Sequence, residues 1–165
     1  RLTPDMIVRM PLHNDLAAPG QLQPSTEWRF HQSLLLSKPE MQAIVHAHPV
    51  YCTALAMNRQ EIPACHYMIA AFGGNSVPLA DYAIYGSKAL SDNLDVAMAD
   101  RHGCLMANHG AVVAGETLQK AMWRMVELET LAQGYVTSLS IGQPHILTDT
   151  EIEAVSLKFQ NYGPK

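Results

Sequence analysis

Ala43-Ile44-Val45-His46-Ala47-His48-Pro49 is the run from which the rest of the chain can be ordered. Its apolar, β-branched centre predicts a buried strand over 41–48, and Pro49 ends it. Residues two apart on a strand point to the same face, so His46 and His48 reach toward one point beyond the sheet. Imidazole is the commonest protein ligand for zinc and similar divalent ions. An HxH pair also arises with one histidine buried and hydrogen-bonded and the other incidental, and this stretch alone leaves both readings open.

Moving outward, residues 50–58 read as a helix, and Pro24-Ser25-Thr26 precedes a helical run over 27–36, with Ser or Thr as the N-cap signal and Pro39 as the stop. A short strand is expected over 6–10, among Pro4, Pro11 and Pro19. Short strands and turns fill 60–86, punctuated by Pro63, Gly73-Gly74-Asn75 and Pro78. Residues 87–100 form a helix with Leu90, Leu94, Val96 and Ala97 as its buried face. Two strands, 103–107 and 111–114, flank Asn108-His109-Gly110. The longest helix covers 116–139, with Leu118, Met122, Met125, Leu128, Ala132 and Tyr135 recurring at threes and fours. Thr148-Asp149-Thr150-Glu151 is a capping box opening a last helix. Helices and strands alternate without a repeat or linker, which predicts one α/β domain over 1–165.

The 165 residues carry 11 Lys+Arg against 15 Asp+Glu, a formal net charge of −4. A mildly acidic chain without a basic run is a poor nucleic-acid binder, because phosphate contacts dominate that affinity. No apolar stretch approaches the ~20 residues of a membrane helix. Cys52, Cys65 and Cys104 form no CxxC pair, which reads as reduced thiols in a cytoplasmic protein.

His109, at a tight turn between two apolar strands, is either a polar turn residue or a third ligand beside His46 and His48. A catalytic zinc takes three protein ligands and keeps one position open. Glu27, in the first turn of a helix, is either a favourable dipole partner or an acid/base. Ser25 and Thr26 stand where a helix N-terminus is able to hold a phosphate. His13, His31, His66, His102 and His145 are expected to be structural or incidental.

Three segments, Pro24-Ser25-Thr26-Glu27-Trp28-Arg29-Phe30-His31, Ala43-Ile44-Val45-His46-Ala47-His48 and Asn108-His109-Gly110, together resemble the class II aldolase/adducin family. So do the run from Ile62 to Ser76 and the closing Phe159-Gln160-Asn161-Tyr162-Gly163. The resemblance spans essentially the whole chain and is strongest to the family's sugar-phosphate aldolases. It implies a three-layer α/β/α domain around a mainly antiparallel central sheet, assembled as a homotetramer with active sites at subunit interfaces. It also implies one Zn²⁺ per subunit on His46, His48 and His109, Glu27 as acid/base, and Tyr67, lent by a neighbouring subunit, as proton donor to the aldehyde oxygen. Tyr162 would assist, and Ser25 and Thr26 would bind the substrate phosphate. The implied reaction is reversible cleavage of L-fuculose 1-phosphate, or a similar ketose 1-phosphate, to dihydroxyacetone phosphate and L-lactaldehyde through an enediolate.

Two other functions stay open at this stage: a pentulose-phosphate 4-epimerase of the same family, and a metal-free, adducin-like scaffold domain. Members of the first tend to carry Asp where Glu27 stands, and the second lacks the histidine set. The family's domain also begins with residues before the equivalent of Arg1, including a loop that completes the phosphate pocket. The expectation is therefore that an N-terminal part is missing and that the 165-residue chain alone is a poor catalyst.

Overall fold

The computed structural model describes residues 3–15 and 20–159. Among the described residues four strands form one sheet: β1 (Ala43–Ala47), β2 (Leu79–Ala80), β3 (Gly103–Met106) and β4 (Gly110–Gly115), in the order β1-β4-β3-β2. The β1–β4 and β3–β4 pairings are antiparallel, and the short β2 lies parallel to β3. The sheet is thus mixed, with antiparallel pairing predominant. Five α-helices of the described residues surround it: α1 (Trp28–Ser37), α2 (Val50–Met57), α3 (Lys88–Ala97), α4 (Leu118–Ile141) and α5 (Asp149–Phe159).

Strand alternation divides the interior into two cores, giving the three-layer α/β/α arrangement. Leu105, Ala111 and Val113 face one way, into a core shared with α2, α4 and the 3₁₀ turn Tyr67–Phe72. Cys104, Met106, Val112 and Ala114 face the other way and pack with Phe30 and Leu34 of α1 and Leu90 and Leu94 of α3. Ile44 packs on the α1/α3 side, whereas Val45 and Ala47 pack on the α2/α4 side. His46, two residues from Ile44, therefore emerges on the α1 side, with its ring edge-on to Phe30 at 5.4 Å. No helix among the described residues is long and apolar enough to cross a membrane.

Several sequence expectations need correction. Residues 6–10 form no strand; a 3₁₀ turn over Pro4–Met6 runs into irregular chain. The cap of α1 is Glu27, not Ser25 or Thr26. Ser25 instead accepts a bond from the Glu27 amide through Oγ (3.3 Å), while the Trp28 amide donates to its carbonyl (3.2 Å). Val96 is 79% exposed, because the buried stripe of α3 runs through Leu90, Ser91 and Leu94. Leu118 (60% exposed) and Met122 also face outward, because α4 buries Ala121, Arg124, Met125, Leu128, Leu131 and Ala132.

Candidate metal centre and active site

Backbone geometry brings four side chains together at one end of the sheet. His46 leaves the last turnward half of β1, and His48 stands just past its end. His109 occupies the hairpin turn between β3 and β4, where its amide donates to the Met106 carbonyl (2.9 Å). Glu27 stands at the start of α1, on the sheet face toward which His46 points. Its side chain makes no capping bond to its own helix. The carboxylate turns into the cluster instead.

One ligand atom from each of Glu27, His46, His48 and His109 lies within 4.8 Å of all the others. Glu27 Oε2 is 3.0 Å from His46 Nε2, and Oε1 is 3.2 Å from His109 Nε2. The Nε2 atoms of His46 and His48 are 3.1 Å apart. Gly110 permits this crowding: a Cβ there would lie 2.5 Å from the Ala47 carbonyl oxygen and 2.6 Å from His48 Cδ2.

The chemistry of the donor set fits a cation. His46 Nδ1 lies 2.9 Å from the Ala111 carbonyl oxygen, which only accepts, so Nδ1 carries the proton. Burial lowers the His46 pKa below 6.5, opposed by the Ala111 bond and the Glu27 charge. Burial likewise lowers that of His109, against the pull of Glu27. In neutral His46 the Nε2 lone pair then faces the lone pairs of Glu27. Glu27 Oε1 is closed off from solvent and has no hydrogen-bond donor. Lone pairs converging in this way repel one another unless a proton or a cation sits between them. Three imidazoles and a carboxylate suit zinc or a similar divalent ion, and the backbone bond on Nδ1 is the outer-shell support such ligands ordinarily have.

The cluster opens into a cleft of about 350 Å³ lined by Thr26, Glu27, His48, Tyr82, Ala83, Tyr85, Asn108 and His109. Thr26 thus shares the cleft, whereas Ser25 borders an adjacent groove with Trp28 and His31. Tyr82 and Tyr85, both exposed, belong to no motif that the sequence marks. Their only sequence signal is aromatic residues in a turn-rich segment ahead of Gly86. That glycine has φ +71° and lies so close to Thr26 that a Cβ would meet its carbonyl oxygen at 2.7 Å, which pins the loop to the entry of α1.

Tyr67 is elsewhere. It is 45% exposed at the start of the 3₁₀ turn, and its ring contacts His66 and Phe159, none of them lining the cleft. His66 accepts from the Met68 amide through Nδ1 (3.3 Å), a structural role. Tyr162 lies outside the described residues.

Comparison with known proteins agrees with this geometry. Residues 1–136 match the family model for the class II aldolase and adducin N-terminal domain. The chain is 46% identical over 141 residues to L-fuculose phosphate aldolase of Escherichia coli (strain K12), covering 85% of this chain and 66% of that protein. It is 43% identical over 144 residues to the 5-methylthioribulose-1-phosphate/5-deoxyribulose-1-phosphate aldolase of Rhodospirillum rubrum, covering 87% and 65%. A solved L-fuculose 1-phosphate aldolase superposes with a TM-score of 0.88 at 37% identity, over 93% of this chain and 71% of that one. The chain spans about two thirds of the length of these curated relatives. By family model, sequence and fold together, it belongs to the class II aldolase and adducin N-terminal domain family.

Proposed function

We propose that this domain carries the active site of a zinc-dependent aldehyde-lyase that reversibly cleaves a ketose 1-phosphate to dihydroxyacetone phosphate and an aldehyde. The observation that carries the reading is the convergence of Glu27, His46, His48 and His109 on one point, beside a cleft that Glu27, His48 and His109 line. A metal-free scaffold has no use for a buried carboxylate oxygen without a donor. L-fuculose 1-phosphate, giving L-lactaldehyde, is the first substrate to test, because relatives so named are 46% identical. The 43% identity to a methylthioribulose-1-phosphate aldolase makes that ketose 1-phosphate the second.

His46, His48 and His109 would hold the ion, which when bound supplies Lewis-acid stabilisation of the charge developing beside the substrate carbonyl. Glu27 moves the proton on the adjacent carbon of the triose-phosphate fragment: it delivers the proton after the carbon–carbon bond breaks and removes it in the synthetic direction. Thr26, with Ser25, holds the phosphate. Tyr67 of a neighbouring copy takes the hydroxyl proton as the aldehyde forms and returns it in reverse, with Tyr162 assisting. A homotetramer with interfacial sites supplies that tyrosine, and a cytoplasmic location suits phosphorylated sugars and free thiols.

The test is release of dihydroxyacetone phosphate from each ketose 1-phosphate, with and without a chelator. Release that the chelator abolishes and added zinc restores is expected. Chelator-insensitive release would contradict the metal reading, and epimerised substrate without triose phosphate would favour the 4-epimerase.

A further inference from the structure

The C-terminus of α2 carries an arginine where helices ordinarily place glycine. Asn58 caps the helix, the Gln60 amide donates to the Leu55 carbonyl (3.0 Å), and the Arg59 amide donates to that of Ala56 (3.2 Å). That pair of bonds is a Schellman motif, whose C′ residue must adopt the left-handed conformation. Arg59 does so, with φ +54°. A second non-glycine residue in that conformation is Asn108, at φ +53°, immediately before the ligand His109. These are the two such residues recorded among the described ones, and their side chains are bonded to each other: Arg59 Nε donates to Asn108 Oδ1 at 2.7 Å.

Left-handed backbone at non-glycine residues is unfavourable and persists where the surrounding structure over-determines it. For Arg59 the surroundings are the metal cleft. Its guanidinium carbon stands 5.8 Å from the ring centre of Tyr82, which with Asn108 lines that cleft. The Asn108 amide meanwhile donates to the Ala56 carbonyl (3.1 Å), so one helix end grips the hairpin turn through a backbone bond and a side-chain bond. The turn held in this way is the one that aims His109 Nε2 at Glu27.

We infer that Arg59 is a positioning residue for the metal centre: through Asn108 it fixes the turn that presents His109, and through Tyr82 it steadies the aromatic rim. The inference rests on the metal-binding reading above and adds an outer-shell pair to it. Such partners typically change metal affinity 10–100-fold when removed, without touching the ion.

Arg59→Gly separates this role from a general structural one, because it installs the residue that the C′ position favours while deleting the side chain. Co²⁺ affinity is measured by spectroscopic titration of wild type, Arg59→Gly, Asn108→Gly and the double variant, together with the Tm of each metal-free protein. Metal-free Arg59→Gly is expected to melt at or above the wild-type temperature yet bind Co²⁺ about tenfold more weakly. Asn108→Gly, which keeps the turn and loses the acceptor, should show the same loss, and the double variant should lose no more than either. Wild-type Co²⁺ affinity in Arg59→Gly would overturn the inference. So would a weaker affinity matched by a lower metal-free Tm, or losses that add in the double variant. Wild-type protein showing no Co²⁺ uptake that depends on His46 would overturn the metal reading as well.

Discussion

At the scale of single residues, Glu27 and His46 separate holding the ion from moving the proton. Glu27→Gln should lower cleavage by about 10²–10⁴-fold, the usual worth of a positioned general base. Metal content should stay near wild type, because the three histidines are untouched. His46→Ala should lose both metal and cleavage. Near-normal turnover in Glu27→Gln would contradict the proton-transfer role, and assay beside metal analysis distinguishes the cases. That His46 and His48 share one face was legible because strand alternation places them without tertiary information, whereas His109 joined them only through the family resemblance. Glu27 was ambiguous from sequence: a first-turn glutamate looks the same whether it caps a helix or leaves it. Arg59 and Tyr82 were not legible, since their meaning comes from a left-handed helix end and a loop folded back on Thr26.

At the scale of elements, local signals fared best where the chemistry itself is local. The capping box is formed as written, with the Thr148 amide donating to Glu151 Oε2 (2.8 Å) and the Glu151 amide to Thr148 Oγ1 (3.3 Å). The expected stripe on α4 holds at Met125, Leu128 and Ala132 and fails at Leu118 and Met122, because apolar periodicity leaves out buried charge. Arg124 is only 4% exposed and pairs with both oxygens of Glu116 (2.9 and 3.0 Å). It also donates to the carbonyls of Ala71 (3.2 Å) and Ala114 (2.7 Å). This arginine ties α4 to the far end of β4 and to the 3₁₀ turn. Arg124→Met keeps the aliphatic stem but leaves buried carbonyls and Glu116 without a donor, so it should cost roughly 3 kcal/mol in denaturant unfolding. A loss under about 0.5 kcal/mol, the range of an ordinary surface change, would show that the fork is dispensable.

At the scale of the whole molecule, two cores lie on opposite faces of one sheet, while Tyr67 stands away from the cleft of its own chain. If neighbouring copies lend this tyrosine, Glu27→Gln and Tyr67→Phe proteins, each impaired alone, should regain activity when refolded together, since some mixed sites combine an intact Glu27 with an intact Tyr67. Activity of the mixture no greater than the average of the two variants would contradict shared sites. The α/β class was foreseeable from alternating elements and the three-layer, mainly antiparallel arrangement only from the family resemblance, while assembly is written in surfaces that a single sequence does not mark. The central claim concerns the metal, and it is tested most directly by anomalous diffraction at the zinc edge from zinc-soaked crystals. The account predicts one peak per chain, about 2.0–2.1 Å from Nε2 of His46, His48 and His109. A peak bound elsewhere, or none at this cluster, would contradict it.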